Sequence, residues 1–138
     1  MSARTKARKR ALDALYEADI KGADPRETLA ATEDTLQAPL NPYTSEIVDG
    51  VFENLDHIDD LISTYSQGWT IDRMPAVDRN IVRIGVYELI WNPQVPVGVA
   101  ISEAVDLAKL LSTDESGSFV NGLLARIADV NERSGGLE

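Results

Sequence analysis

The side chains most often used in catalysis or metal binding are scarce in this sequence. His57 is the only histidine, and it stands in the acidic run Asp56-His57-Ile58-Asp59-Asp60. His57 and Asp60 could share a metal ion on one helix face, but a single histidine among solvated acids is more typical of a protein surface. The absence of cysteine excludes disulfides, thiolate nucleophiles and cysteine-based metal centres. We therefore expect no metal site and no cofactor.

Catalytic motifs are incomplete or absent. The segment from Gly117 to Gly122 has the glycine spacing of a phosphate-binding loop, but Leu123 and Leu124 follow it where that loop has lysine and serine or threonine. No G-x-S-x-G segment presents a serine nucleophile. Carboxylate pairs are frequent because the chain is acidic, and nothing in the sequence marks one pair as buried. The sequence predicts no catalytic residues and a protein that is not an enzyme.

The strongest charge pattern lies at the N-terminus. The first ten residues contain no acid and five of the thirteen basic residues, namely Arg4, Lys6, Arg8, Lys9 and Arg10. Residues 11–138 carry eight basic and 23 acidic side chains, a net charge of −15. This asymmetry indicates a basic arm (residues 1–10) on an acidic body, which would confine nucleic-acid binding to the arm. A solvated charged terminus without a ligand is the alternative.

Length and hydropathy restrict the class of protein further. A chain of 138 residues with 43% hydrophobic residues is long enough for one domain with its own core. No apolar run approaches the roughly 18–20 residues needed to cross a bilayer. The N-terminus has no apolar stretch or cleavage site of a secretory signal. We expect a cytoplasmic protein that does not contact membranes.

The elements that must position these residues are predicted to be helices, because apolar residues recur at steps of three and four. We predict helices over Thr5–Lys21, from Asp24-Pro25 to about Thr35, from Asn41-Pro42 to Tyr65 with a break near Asp56, from Pro75 to Trp91, from Val97 to Leu111, and from Phe119 onwards. Seven helices with short connections favour an all-α bundle.

Several local signals refine these boundaries. Asp24 and Glu27 have the spacing of a capping box, and Asp56 is predicted to cap the helix after the break. Gly85, inside a helix, is predicted to allow close helix–helix approach. Residues 113–117 are predicted to form a turn. The alternating segment 95–99 fits either a short strand or, more simply, a loop that leads into a helix.

Four segments, in order and at matching spacing, resemble one family. They are Arg8-Lys-Arg-Ala11-Leu-Asp-Ala-Leu-Tyr16, Val77-Asp78-Arg79-Asn-Ile-Val-Arg83-Ile-Gly-Val-Tyr87-Glu88-Leu89, Pro96 with Ile101-Ser-Glu103-Ala104-Val-Asp-Leu107-Ala108-Lys109, and Phe119-Val120-Asn121-Gly122-Leu123-Leu124. With them the chain resembles the NusB family of transcription antitermination factors over nearly its whole length.

The resemblance implies a fold and a function. Family members consist of two packed three-helix bundles, and they bind a short single-stranded leader element of nascent ribosomal RNA together with the small-subunit ribosomal protein NusE. The pair acts on RNA polymerase against premature termination. The fold also forms the N-terminal domain of ribosomal RNA cytosine methyltransferases, but a length of 138 residues favours the free-standing factor.

The resemblance also assigns roles to individual residues. The family's arginine-rich opening falls on Arg4, Lys6 and Arg8, and Lys9 and Arg10 extend it here. Phe119 matches an aromatic residue close to the RNA, where aromatic rings stack on unpaired bases; periodicity alone favours a core role for it. Tyr16 and Asp78 match positions near the partner interface. Asp78 is expected to be exposed, either facing the partner or paired with Arg79 or Arg83.

Two functional hypotheses follow. In the first, residues 1–138 form a single NusB-like RNA-binding domain that serves as an adaptor between ribosomal RNA, NusE and the RNA polymerase elongation complex. In the second, the chain is a homo-oligomeric protein–protein interaction module, for example a homodimer. Its basic arm is then masked by its own acidic body or by a second copy, and it never contacts RNA.

Overall fold

The computed structural model describes all 138 residues and contains seven α-helices and no strand. The helices are α1 (Ala3–Lys21), α2 (Pro25–Leu36), α3 (Pro42–Glu53), α4 (Leu55–Tyr65), α5 (Ala76–Trp91), α6 (Val97–Leu111) and α7 (Asp114–Ser134), and a single 3₁₀ turn at Ile71–Arg73 precedes α5. The all-α prediction is confirmed. In the alternating segment 95–99, residues 95–96 form the loop and residues 97–99 are the first turn of α6. No helix combines the length and apolar character that a membrane span requires.

The end of α1 and the starts of α2 and α3 lie where the sequence predicts them, whereas α1 begins at Ala3, two residues before the predicted Thr5. Gly22 ends α1 in the left-handed conformation with φ of 66°, which glycine adopts without a steric penalty. A side-chain oxygen of Asp24 accepts the backbone N–H of Arg26 at 2.9 Å, and Asn41 Oδ1 accepts that of Tyr43 at 2.9 Å. Each of these caps satisfies one backbone donor that a helix start leaves unpaired.

Three local predictions are wrong. Glu27 does not complete a capping box, because the Asp24 carboxylate is bound by the backbone and guanidinium of Arg26. Asp56 lies in the first turn of α4 and does not cap it, since the chain turns at Asn54. The predicted turn at 113–117 is already helical, because Thr113 Oγ1 accepts the backbone N–H of Ser116 at 3.0 Å and starts α7 early.

The helices form two packed groups around one core of 30 buried residues. Helices α1–α3 make a three-helix bundle, α6 and α7 pair closely beside α5, and α4 packs against α5 and α7. Helix α5 is central: residues 80–90 are all buried, because it contacts both groups. Gly85 makes its predicted close approach, since a Cβ there would lie 2.6 Å from Leu124 Cδ1.

Candidate nucleic-acid interface

The basic arm is the start of helix α1 and not a free tail. Helix α1 begins at Ala3, and Ser2 Oγ caps it by accepting the backbone N–H of Thr5 at 3.0 Å. Arg4, Lys6 and Arg10 are exposed, and Lys9 is half-buried, with its Nζ 3.6 Å from Asp13 Oδ2. Four of the five cations therefore face solvent from a regular helix, where their relative positions are fixed.

Arg8 is the exception among the predicted RNA-binding residues. Its side chain is only 2% exposed, and its Nε donates to both carboxylate oxygens of Glu88 at 3.0 Å. Its Nη1 donates to Glu103 Oε1 at 3.2 Å. Burial opposes the charge, but the hydrogen bond and the attraction to Glu88 outweigh it and raise the pKa of Arg8. The expectation that Arg8 is free for RNA is therefore wrong in this structure.

A polar network surrounds the Arg8–Glu88 pair. Thr5 Oγ1 donates to Glu103 Oε1 at 2.7 Å, the Tyr43 hydroxyl donates to Glu88, and Asn92 Nδ2 donates to the Tyr43 hydroxyl at 3.3 Å. Burial and the neighbouring Glu88 carboxylate raise the pKa of Tyr43, which stays protonated as a donor. The network joins α1 to α3, α5 and α6.

Two further contacts hold the same end of α1. The Arg4 guanidinium lies over the Tyr43 ring, 4.2 Å from its centroid. Thr44 Oγ1 donates to the Ala7 carbonyl at 3.1 Å. Sequence reasoning did not assign functions to Tyr43, Glu88 or Glu103. The signal was present at Glu88, because an acid inside the apolar run of α5 needs a buried partner.

Phe119 lies on α7, one turn after Ser116, which contacts Asp78 at the start of α5. It is half-buried on α7 and contacts the half-buried ring of Trp69, with the two centroids 4.8 Å apart and the planes tilted by 52°. Residues 78 and 88 of α5 mark the two ends, because Asp78 contacts α7 and Glu88 contacts the arm. Ten residues of helix place these ends about 15 Å apart.

Asp78 is not the exposed acid that was expected. It is completely buried, and its Oδ2 accepts the Ser116 hydroxyl at 2.7 Å while Oδ1 has no hydrogen-bond partner. The proposed salt bridge to Arg79 or Arg83 is also wrong, because Asp19 and Asp59 bind those arginines. The two N-termini of α5 and α7 meet at Asp78, which explains why an acid is tolerated there.

Asp19 of α1 binds polar and basic side chains at the start of α5. Its Oδ2 accepts Arg79 Nε at 2.9 Å, Asn80 Nδ2 at 2.9 Å and Arg83 Nη1 at 3.3 Å. Burial would raise the pKa of Asp19, but the hydrogen bonds from Arg79 and Asn80 and the two nearby positive charges lower it below the ordinary value. This cluster fastens the C-terminal end of α1 to the start of α5.

Exposed apolar side chains lie on α1 and α6. Tyr16 is 39% exposed and Ile20, one turn further, is 62% exposed. On α6, Val99 and Leu110 are exposed as well, at 42% and 58%. Helices α1 and α6 are linked through the Thr5–Glu103 hydrogen bond, and α6 carries Glu103 between these two apolar residues. The predicted partner residue Tyr16 thus has one exposed apolar neighbour on its own helix, Ile20.

His57 is not part of any cluster that could hold a metal ion. No group of three or more histidine, aspartate and glutamate side chains is arranged for that purpose. His57 packs edge-on against the Trp91 ring, with centroids 5.2 Å apart. The structure thus gives His57 a packing contact at the surface.

Comparison with known proteins gives one consistent result. The model of the NusB family matches residues 5–129. A transcription antitermination protein NusB from Clavibacter sepedonicus is 59% identical over 133 residues, covering 93% of this chain and 97% of that protein. The solved structure of T. maritima NusB is 35% identical with a TM-score of 0.83, covering 94% of this chain and 92% of that one.

A second solved structure contains antitermination factors NusB and NusE in complex with dsRNA. A chain of that complex is 31% identical, with a TM-score of 0.83, and the match covers 94% of this chain and 98% of that one. The relatives are named as antitermination factors and not as enzymes. From its helical fold and these matches, the chain belongs to the NusB family of transcription antitermination proteins.

Proposed function

We propose that this protein binds the leader of ribosomal RNA precursors together with NusE, in the cytoplasm, and so keeps RNA polymerase elongating. The observation that carries the proposal is the start of α1, where four solvent-facing cations lie on two helical turns that contain no acid. The rest of the chain repels phosphate, with a net charge of −15 over residues 11–138. RNA contact is therefore confined to the surface around Arg4, Lys6, Lys9 and Arg10.

Phe119 is proposed as a second point of RNA contact. Its ring is half-buried against Trp69, so one part of it is held by packing and another part is available to a base. The arm contacts Glu88 near the end of α5, whereas Phe119 follows Ser116 by one turn of α7, and Ser116 contacts Asp78 near the start of α5. An RNA that contacts both surfaces therefore extends along α5, or the partner protein bridges the gap between them.

NusE is proposed to cover the exposed apolar side chains of α1, with Tyr16 and Ile20 as contacts. Both side chains are exposed on a body whose net charge is strongly negative, and ribosomal proteins are typically basic. A basic partner would neutralise this body and add its own phosphate contacts. By linkage, NusE and RNA then raise each other's affinity by the same factor. Asp78 has no exposed atom for this role.

Salt dependence tests the RNA site. Four phosphate contacts give a slope of log K against log salt of about −2.8 for single-stranded RNA, so a fourfold rise in salt weakens binding about fiftyfold. For a duplex the same contacts give about −3.6. A variant with Arg4, Lys6 and Arg10 changed to alanine retains one cation, and its slope should fall to about −0.7. An unchanged slope in that variant would exclude the arm as the RNA site.

Measuring the molecular mass in solution alongside the RNA titration distinguishes the homo-oligomeric alternative from the RNA-binding proposal. If the arm is masked by a second copy, wild-type protein elutes as a dimer and shows no salt-dependent RNA binding at any concentration. The same titration repeated with single-stranded and double-stranded leader RNA establishes which form is preferred. Tighter binding of the duplex would contradict the single-strand assignment while leaving the basic surface in place.

A further inference from the structure

The charge of the basic arm does not explain why its residues form a regular helix. The first turn of α1 has no acidic residue, and its cations lie at the helix end where positive charge is unfavourable. Repulsion among Arg4, Lys6, Arg8, Lys9 and Arg10 adds to this. An isolated helix start of this composition would fray. In this structure it is nevertheless a regular helix from Ala3.

The contacts that hold the helix start come from three other helices. We define the Arg8 anchor as Arg8, Tyr43, Glu88 and Glu103. Arg8 enters the core and pairs with Glu88 of α5 and Glu103 of α6, while Tyr43 of α3 donates to Glu88 from the other side. Thr5 adds a second hydrogen bond to Glu103, on the same oxygen that Arg8 uses.

The geometry points to a positioning role: Glu103 and Glu88, acting through Arg8 and Thr5, hold the first two turns of α1 rigid so that the exposed cations meet RNA already ordered. This inference rests on the proposed RNA-binding function and adds residues that do not touch RNA. Binding a preformed array avoids the entropy lost when long side chains and their backbone become ordered on binding. Two acidic residues thus favour the binding of an acidic ligand.

Glu103 allows a test in which the direction of the change in RNA affinity separates the positioning role from a purely electrostatic effect. Electrostatics alone predicts that removing a negative charge beside a basic site strengthens RNA binding. Glu103→Gln and Glu103→Met remove the same charge. The glutamine retains an oxygen that can accept from both Thr5 and Arg8, whereas the methionine thioether is only a weak acceptor. The comparison of these two variants therefore isolates the hydrogen bonds from the charge.

We expect Glu103→Gln to bind leader RNA as tightly as wild type or more tightly, and Glu103→Met to bind at least about threefold more weakly than Glu103→Gln. The salt slope should be equal in both, since the same cations meet phosphate. Backbone amides of residues 6–11 should exchange faster with solvent in Glu103→Met alone. Asp106→Asn, which removes an exposed charge from the same helix, is the control and should not weaken binding.

Equal RNA affinity of the methionine and glutamine variants would overturn the inference, because Glu103 would then act only through its charge. If Glu103→Met proves unstable, Thr5→Val removes the hydrogen bond from Thr5 to Glu103 without changing any charge. Unaltered RNA affinity and amide exchange in that variant would overturn the inference equally. Failure of the proposed function looks different. In that case wild-type protein itself shows no salt-dependent RNA binding.

Discussion

Replacing Arg8 by methionine is the perturbation that best separates a buried role from an RNA contact. The change removes the guanidinium that pairs with Glu88 and leaves that carboxylate 1% exposed without its cation. Removing one partner of a buried ion pair costs about 3–5 kcal/mol, because the remaining charge stays desolvated. For a chain of this length, that free-energy loss corresponds to a melting temperature lower by roughly 10–15 °C.

The double variant Arg8→Met with Glu88→Met supplies the matched control. Apolar replacement of both partners of a buried pair is often neutral or stabilising. The Tyr43 hydroxyl still accepts from the Asn92 amide but loses Glu88 as its acceptor, and Glu103, 19% exposed, keeps the hydrogen bond from Thr5. We therefore expect the double variant to recover part of the stability lost by Arg8→Met, because no completely buried carboxylate is left without a cation. Arg10→Met, at an exposed position, should change stability by no more than about 0.5 kcal/mol.

Thermal unfolding monitored by circular dichroism, together with RNA titration at several salt concentrations, measures both quantities. The structure predicts a large loss of stability in Arg8→Met and an unchanged salt slope under conditions where the variant is folded. A direct phosphate contact predicts the reverse: an unchanged melting temperature and a slope reduced by about 0.7. The second pattern would refute the buried placement of Arg8 and the anchor with it.

Three other predictions concern the rest of the molecule. Because the pKa of Asp19 is lowered in the folded protein, the ionised carboxylate stabilises the fold at pH values above its ordinary pKa, and this stabilisation is lost as the pH falls through the lowered pKa. The free energy of unfolding measured in urea should therefore fall less between pH 7 and pH 2.5 in Asp19→Asn than in wild type. Gly50→Ala should lower stability by about 1–3 kcal/mol in urea unfolding, because its Cβ would lie 2.0 Å from the Tyr87 ring. Phe119→Ala should weaken RNA binding by about 1–3 kcal/mol in calorimetric titration, and an affinity equal to wild type would restrict Phe119 to packing against Trp69.

The helical architecture was predictable because its signals are local. Asp24 and Asn41 each precede a proline, and each caps the helix that the sequence assigned to it. Apolar steps of three and four marked the buried faces, and Gly85 marked the close approach to α7. The errors were local as well. At Asp56 and Thr113 more than one polar side chain competes for the same helix start, and the sequence does not rank them.

The distribution of charge was likewise determined by the sequence, and it located the basic surface in the first ten residues. Which cation faces inward was decided by tertiary structure, because the partners of Arg8 are 80 and 95 residues away along the chain. The same holds for Asp78, whose exposure depends on Ser116 and on the meeting of two helix ends. Side chains of one type look alike in a sequence, and only the packing of distant helices decides which of them remain accessible to a ligand.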